Sequence, residues 1–184
     1  METATIAGGC FWCTEAIFKR LRGVESVEPG YSGGNLDNPV YEQVSAGQTG
    51  HAESIQIKFN PKIISFEKIL DVFFATHDPT TLNRQGNDVG PMYRSVIFYH
   101  DKVQKNIAEK IITLLQNSGK YKNTIVTKVE PFKNFFKAES YHKDYYERNK
   151  DSNSYCPIII DPKIQKLIQE FKKDLKEEYL TKEI

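Results

Sequence analysis

The stretch that decides the fold is ATIAGGCFWCTEAIFKRL, residues 4–21. Its first residues predict a short strand at residues 4–7, which runs into Gly8 and Gly9. Two glycines let the backbone turn sharply and approach a ligand. Apolar residues then recur near helical spacing, so we expect a helix over residues 10–21 that begins at Cys10 and stops before Gly23.

Strands and helices alternate along the rest of the chain. Further strands are predicted at residues 24–31, 51–59, 95–99 and 125–129, and further helices at 65–77, 101–117, 140–148 and 162–180. Ser65 and Asp101 are typical N-cap residues, and Gly119 is typical of a helix end. Residues 32–50 and 78–91 are predicted to be long polar loops, which often carry function. The order predicts one α/β or α+β sandwich domain over residues 1–184.

The composition is that of a folded domain without a strongly charged partner. Hydrophobic residues make up 39% of the 184 residues, charged residues 27%, and the net charge is +1. These values give no sign of a nucleic-acid or membrane surface, and no targeting segment is visible. We therefore expect a cytoplasmic monomer. The odd number of three cysteines argues against a structural disulfide framework and agrees with a reducing compartment.

Cys10 is the first candidate for chemistry. The partial positive charge at a helix N-terminus favours a thiolate, which is the attacking form of cysteine. The alternative is a small buried thiol with no catalytic role. Phe11 and Trp12 follow it and would either wall an apolar pocket for a methyl or thioether group or simply pack in the core.

Cys10 and Cys13 also form a CxxC motif. Such a motif indicates a thioredoxin-like redox pair or half of a zinc site. Zinc would need two more ligands, and only Cys156 and four scattered histidines are available, so no metal site is predicted. Cys13 is interpreted as a packed thiol rather than a working one.

Glu53 is the second candidate. Residues 51–59 alternate, and one face carries His51, Glu53, Ile55, Ile57 and Phe59, which predicts a half-buried strand. A carboxyl group on an apolar face should have a raised pKa, and a carboxylic acid that stays protonated near neutral pH donates protons in catalysis. His51 would orient it. A glutamate that reaches solvent from the strand end is the alternative.

The string GCFWCTE at residues 9–15 closely resembles the active-site signature of the A-type peptide methionine sulfoxide reductases. Further strings resemble that family in the same order: GYSGG at 30–34, NPVY at 38–41, GQTGHAE at 47–53, FFATHDPT at 73–80, NRQGNDVG at 83–90 and YRS at 93–95. The resemblance covers about residues 7–156. Several long motifs in order are far more specific than one CxxC.

The resemblance implies a reductase for methionine-(S)-sulfoxide, free or in proteins, without a metal or organic cofactor. It implies a two-layer sandwich with a ferredoxin-like plait core and a mixed sheet. Cys10 resembles the nucleophile and Glu53 the acid that protonates the sulfoxide oxygen. The residues that resemble the rest of the site are two hydroxyl donors, two walls of the methyl pocket and a supporting loop aspartate: Tyr41 and Tyr93, Phe11 and Trp12, and Asp88.

These roles agree with the chemistry of a sulfoxide. A thiolate attacks the sulfur only if the oxygen becomes a better leaving group, which requires hydrogen-bond donors and a proton source. The cysteine is then left as a sulfenic acid, which condenses with a second thiol.

Cys156 resembles the cysteine that resolves this sulfenic acid, and it follows a polar segment, residues 149–155, that looks flexible. The implied Cys10–Cys156 disulfide would be reduced by thioredoxin or another dithiol. This chain departs from many family members, which lack a cysteine at position 13. Cys13 therefore stays open as a partial substitute for Cys156, although the helix would need to loosen for it to reach Cys10. A relay through two C-terminal cysteines is not expected. The helix at 162–180 extends past the resemblance and is interpreted as a packing or solvated element.

Three other functions compete. A thioredoxin-like oxidoreductase would use Cys10 and Cys13 and would need neither Cys156 nor Glu53. A cysteine hydrolase would need a histidine near Cys10, which no local motif supplies. A non-catalytic binding module is the third alternative, and the two thiols and an acid on separate loops argue against it. The other histidines are interpreted as structural, although His142 lies in YHKDY, residues 141–145, a string that also resembles the family.

Overall fold

The computed structural model describes residues 1–180, and these contain eight strands and seven α-helices. The strands are β1 (Glu2–Gly8), β2 (Val24–Ser32), β3 (Ala52–Phe59), β4 (Arg84–Gln85), β5 (Asp88–Val89), β6 (Ser95–Tyr99), β7 (Lys128–Pro131) and β8 (Phe136–Lys137). The helices are α1 (Phe11–Phe18), α2 (Tyr41–Ser45), α3 (Phe66–Thr76), α4 (Lys102–Asn117), α5 (Tyr145–Asn149), α6 (Asp161–Phe171) and α7 (Glu177–Leu180).

Six strands form one mixed sheet in the order β7-β6-β1-β3-β2-β8. All neighbours in it are antiparallel except β6 and β7. The units β1-α1-β2 and β3-α3-β6 each place a foreign strand between their own two strands, which is the interleaved order of a ferredoxin-like plait. The predicted plait and mixed sheet are confirmed. The short pair β4-β5 forms a separate hairpin.

The main core lies between the sheet and the helices α1 and α3. The strand register sets Ala4 opposite Ile57 and sets Ile6 opposite both Ile55 and Ile97, so these side chains share one face. All five are fully buried, in one cluster with side chains from α1 and α3. Burial of each large apolar side chain is worth about 1.5–3 kcal/mol, so this layer fixes the N-terminus of α1 against the sheet.

β3 is buried on both faces at its N-terminal half, and the prediction of a half-buried strand is wrong there. Ala52 and Ser54 have no exposed surface. The reason lies in a second small cluster on the opposite face, where Ala52 packs with Ala7 and Phe98. The partly buried ring of Phe132, in the chain after β7, covers this cluster.

Local signals placed several helix ends correctly. The Ser65 hydroxyl accepts a hydrogen bond from the backbone of Lys68 at 3.2 Å, and Asp101 caps α4 by accepting from Gln104 at 2.8 Å. α1 ends at Phe18, short of the predicted residue 21, because the backbone N–H groups of Arg20 and Leu21 bond three residues back and tighten the last turn.

The other differences arise in the predicted loops and in two predicted elements. The loop 32–50 contains α2, and the loop 78–91 contains the β4-β5 hairpin. The predicted strand 125–129 starts only at Lys128, because Ile125 donates to the Gln116 side chain and Val126 to the Pro79 carbonyl. The predicted helix 140–148 is a 3₁₀ turn, Ser140–His142, followed by α5.

The C-terminal helix predicted at 162–180 is divided into α6, a 3₁₀ turn at Lys172–Asp174, and α7. A π-helical turn, Cys156–Ile160, leads into α6. The segment returns to the chain directly after α1, where Leu175 pairs with Leu21 and the Lys176 amide donates to the Arg20 carbonyl at 2.9 Å. It is therefore a packing element of the fold. Within residues 1–180, no helix has the length and apolar character needed to cross a bilayer.

Candidate active site

A cavity of about 210 Å³ lies at the N-terminus of α1. Seven of the eight predicted site residues line it together with Tyr155: Cys10, Phe11, Trp12, Tyr41, Glu53, Asp88 and Tyr93. Only Cys156 does not. Residues far apart in the sequence therefore meet at one small cavity lined by both apolar and polar side chains, which is typical of a small-molecule site.

The turn before α1 presents the Cys10 thiol. Gly9 has φ +93°, and a Cβ there would lie 2.6 Å from the Gln85 side chain, so only glycine fits. Cys10 has φ −57° and ψ 126°, which is not helical, and its carbonyl accepts from the amide of Cys13 at 3.1 Å. Cys10 is therefore the N-cap, with its thiol beside the positive end of the helix.

Cys10 and Cys13 act on each other electrostatically. Burial raises the pKa of Cys10 well above its ordinary value, and the adjacent Cys13 raises it further. The hydrogen bond from Cys10 lowers the pKa of Cys13 to about 7. The predicted low pKa is therefore not a property of Cys10 alone: the first negative charge forms on the Cys10–Cys13 pair. Cys10 is the member that lines the cavity, whereas Cys13 is fully buried.

Glu53 lies on β3 beneath this pair and is only 3% exposed. Burial raises its pKa to about 8, although the backbone amide of Phe11, which donates to Oε2 at 3.0 Å, opposes the rise. Glu53 is therefore largely protonated at pH 7, as its apolar face predicts. His51 does not orient it. Its ring accepts from the Gly34 amide at 3.1 Å and contacts the Leu36 carbonyl at 2.8 Å, so it fixes the loop before α2.

Two tyrosine hydroxyls belong to the same cavity. Tyr41 begins α2, and Tyr93 ends the 3₁₀ turn Pro91–Tyr93. Burial raises the pKa of Tyr41 to about 12, with a further contribution from the charge of Glu53. Burial likewise raises the pKa of Tyr93. Both hydroxyls keep their protons at neutral pH and can donate to an oxygen in the cavity.

Tyr155 is the site residue that sequence reasoning did not single out. Its hydroxyl donates to Oδ2 of Asp88 at 2.8 Å and lies 3.8 Å from the sulfur of Cys13. It therefore links the β4-β5 hairpin to the thiol pair. The only indication of Tyr155 in the sequence is its position next to Cys156, and that pattern points to the thiol of Cys156 rather than to the tyrosine ring.

Trp12 forms an aromatic wall. Its indole stacks on Tyr145, with ring centroids 3.6 Å apart and planes 5° from parallel, and meets the edge of Tyr155 at 5.8 Å. The indole N–H donates to Nδ1 of His142 at 3.0 Å. Glu15 supports the wall indirectly, because its carboxylate accepts from the amide of Asp144, directly before Tyr145, at 3.0 Å.

Cys156 lies near the site but outside the cavity. It is fully buried and packs in one cluster with Cys10 and Cys13, and burial raises its pKa. The segment before it, whose polar composition looks flexible, forms turns in the structure. Asn153 holds it in turns: its amide donates to the Asn149 carbonyl at 2.9 Å and its side chain to the Tyr145 hydroxyl at 2.7 Å. Cys156 would have to shift to meet Cys10.

The geometry separates the competing functions from one another. Among residues 1–180, no group of three or more His, Cys, Asp or Glu side chains is arranged to hold a metal ion. No histidine of the described chain lines the cavity, so the cysteine hydrolase lacks its base. The thioredoxin-like alternative remains compatible with the structure, because Cys10 is the N-cap of α1 and Cys13 lies in its first turn.

Comparison with known proteins identifies the family. A family model described as peptide methionine sulfoxide reductase matches residues 2–176, which extends through α6 and beyond the quoted motifs. A relative from Sulfolobus acidocaldarius, peptide methionine sulfoxide reductase MsrA, is 53% identical over 171 residues, 93% of this chain and 96% of the relative.

Solved structures agree with that assignment. Mxr1 from Saccharomyces cerevisiae in reduced form is similar with a TM-score of 0.76 and 36% identity, covering 85% of this chain and 89% of that one. Mxr1 in complex with Trx2 matches with a TM-score of 0.54 and 29% identity, over 78% of this chain and 84% of that chain. The protein is therefore a member of the peptide methionine sulfoxide reductase family, of the MsrA type.

Proposed function

We propose that this enzyme reduces methionine-(S)-sulfoxide, free and in proteins, through a sulfenic acid on Cys10. The observation that carries the proposal is the joint lining of one cavity by a thiol, a protonated carboxyl group, two tyrosine hydroxyls and an indole wall. Cys10, Glu53, Tyr41 and Tyr93 supply the reactive groups. Phe11 and Trp12 supply the apolar surface for the methyl group, whose placement selects the epimer.

The first half of the reaction transfers the oxygen. The Cys10 thiolate attacks the sulfoxide sulfur while Glu53 gives its proton to the oxygen and the Tyr41 and Tyr93 hydroxyls stabilise the charge that builds there. Cys13, hydrogen bonded to Cys10, takes the thiol proton that the attack requires. The attack forms a bond between the Cys10 sulfur and the substrate sulfur, and the protonated oxygen leaves the substrate sulfur as hydroxide. Hydroxide then attacks the Cys10 sulfur, the sulfur–sulfur bond breaks, methionine leaves, and Cys10 carries the oxygen as a sulfenic acid.

The second half removes that oxygen as water. A second thiol attacks the sulfenic sulfur, a disulfide forms, and hydroxide leaves with a proton. Two thiols thus provide both electrons, so the reaction needs no metal or organic cofactor. We assign this thiol to Cys156, because it lies in the Cys10 cluster and its chain neighbours Pro157 and Ile158 are exposed. A disulfide to Cys156 would therefore lie beside a part of the surface that a partner can contact.

Thioredoxin is the proposed reductant of the Cys10–Cys156 disulfide. The complex of Mxr1 with Trx2 supports this assignment, since Mxr1 shares the fold. Thiol–disulfide exchange through a mixed disulfide completes the cycle. Cytoplasmic location, a monomeric state and the absence of nucleic-acid or membrane partners remain predictions from composition.

The decisive experiment supplies the S and R epimers separately to the purified protein with dithiothreitol and measures methionine by chromatography. We expect turnover of the S epimer alone, and its loss in Cys10→Ser. Cys156→Ser is the matched control, because dithiothreitol can reduce the sulfenic acid directly. No turnover of either epimer by fully reduced protein would overturn the proposal and favour the Cys10–Cys13 oxidoreductase.

Replacing dithiothreitol with thioredoxin and its reductase then tests the resolving thiol. We expect Cys156→Ser to lose turnover in this assay while Cys13→Ser retains it. The reverse pattern would transfer the resolving role to Cys13, whose thiol already contacts Cys10.

A further inference from the structure

His142 is a buried titratable residue that the proposed reaction does not use. It ends the turn Ser140–His142, is 1% exposed, and accepts the indole N–H of Trp12 at Nδ1. Its other nitrogen, Nε2, has no hydrogen-bond partner in the part of the chain that the structure describes. That nitrogen lies 3.8 Å from Oε2 of Glu139.

The Trp12 hydrogen bond fixes the protonation state of the ring. An indole N–H is a donor only, so Nδ1 must present a lone pair, and in neutral imidazole the single proton then belongs to Nε2. An imidazolium carries protons on both nitrogens. Its Nδ1 proton would face the indole proton, and the bond between His142 and Trp12 would be lost.

The surroundings of the ring contain an anion on the Nε2 side. The carboxylate of Glu139 is held by the Tyr31 hydroxyl and the Tyr41 amide, each at 2.8 Å. The other charged or titratable neighbours are Glu42 on α2 and the hydroxyls of Tyr41 and Tyr141. Burial lowers the pKa of His142, while Glu139 and Glu42 oppose that change.

We propose that His142 is a positioning residue whose neutral ring holds the indole of Trp12 in the cavity wall, and that protonation of the ring shifts its hydrogen bonding from Trp12 to Glu139. The consequence for catalysis rests on the proposed function, in which Trp12 holds the substrate methyl group. Acid then loosens that wall, and substrate affinity falls at a pH below the one at which the thiol pair takes up its proton.

The chain contains a single tryptophan, so indole fluorescence reports on Trp12 alone. In the reduced protein without substrate, we expect an emission change on acidification with a midpoint below the ordinary histidine pKa of 6.5. The neighbouring groups Glu53 and Cys13 titrate higher, at pKa values of about 8 and about 7. His142→Phe removes the acceptor of the indole N–H, and His142→Asn replaces Nδ1 with an Oδ1 that does not titrate. Neither variant should show the emission change on acidification.

His100→Gln is the matched control, because it removes a different histidine at the far end of β6 and should keep the step. At neutral pH, His142→Asn should match the wild-type emission, whereas His142→Phe should resemble acidified wild-type protein. Circular dichroism checks that both variants fold. A wild-type step that persists in His142→Phe and His142→Asn would overturn the proposal.

Kinetics provide the second readout. Loss of one buried hydrogen bond predicts that KM for the S sulfoxide rises about five- to tenfold in His142→Phe. We expect the loss in KM rather than kcat, since Trp12 contacts the methyl group and not the reacting oxygen, and His142→Asn should recover most of it. Equal KM values in the Phe and Asn variants would refute the positioning role. The substrate-free fluorescence step separates this result from a failure of the proposed function, which would appear as inactive wild-type enzyme.

Discussion

Replacement of Glu53 by glutamine removes the proposed acid without changing the shape of the side chain. The environment raises the pKa of Glu53 from 4.5 to about 8, so the group holds its proton through the neutral range. The side-chain oxygen of the glutamine can still accept the hydrogen bond that the backbone N–H of Phe11 donates to Glu53. The variant therefore isolates the proton, and positioned general acids typically contribute about 10²–10⁴-fold in rate.

The pH dependence gives the sharper form of this prediction. Activity requires a thiolate, which forms on the Cys10–Cys13 pair near pH 7, and a protonated Glu53, which is lost near pH 8. The wild-type kcat/KM should therefore be bell-shaped, rising toward pH 7 and falling above pH 8. Glu53→Gln should be about 10²–10⁴-fold slower and should lose the falling limb.

Single-turnover experiments with pre-reduced enzyme measure the pH–rate profile without the pH dependence of an added thiol. The exposed Glu67→Gln on α3 serves as the control and should reproduce the wild-type profile. A Glu53→Gln enzyme within about threefold of the wild-type rate, or one that keeps the falling limb, would refute the role of Glu53 as the acid.

Stability supplies an independent check on the same residue. Between pH 4.5 and about 8 the native protein holds a proton on Glu53 that the unfolded chain has lost, so the free energy of unfolding falls as pH rises through this window. At about 1.4 kcal/mol per pH unit, the full effect is on the order of 5 kcal/mol. Urea unfolding should show a weaker pH dependence in Glu53→Gln. Glu15, whose burial raises its pKa to about 7, is present in both proteins and cancels in the comparison.

Three further substitutions test other parts of the structure. Tyr155→Phe removes the hydrogen bond to Asp88 and should lower kcat/KM about tenfold with unchanged circular dichroism. An unchanged kcat/KM would show that the Tyr155 hydroxyl has no role in turnover. Asp101→Ala removes the cap of α4 and should cost about 1 kcal/mol in urea unfolding without loss of activity, which a defect in turnover would contradict. Phe73→Ala opens the core at a fully buried ring and should cost about 3–5 kcal/mol; a loss below about 1 kcal/mol would show that the core layer closes around the gap.

Features with a local cause could be predicted to the residue. Ser65 and Asp101 were assigned as caps because a short acceptor before an apolar-periodic run satisfies the first free amides of a helix, and both make that bond. The raised pKa of Glu53 also followed from its place on an apolar face. Each of these inferences needs only the residues within a few positions.

Features that depend on residues far away in the sequence could not be predicted. Burial of both faces in the N-terminal half of β3 involves Phe132, which lies far along the chain and packs on the second face of the sheet. His51 shares the alternation of Glu53 but precedes the strand, so its ring turns to Gly34 and Leu36 instead. Tyr155 reaches Asp88 across 67 positions, and no pattern in its own segment indicates that contact.

The thiols show why motif spacing alone could not rank the two resolving candidates. A helix that began at Cys10 would need to loosen before Cys13 could reach it, but the observed ψ of 126° makes Cys10 a non-helical cap and leaves the two sulfurs hydrogen bonded. Proximity therefore favours Cys13 for capture of the sulfenic acid. Proximity to the surface favours Cys156, which is itself buried but is followed in its π-helical turn by the exposed Pro157 and Ile158, whereas Cys13 is enclosed by the buried face of α1. Reduction by a macromolecular partner requires access to a sulfur, so the residue that delivers the disulfide to thioredoxin is set by the surface of the fold rather than by the shortest distance between thiols.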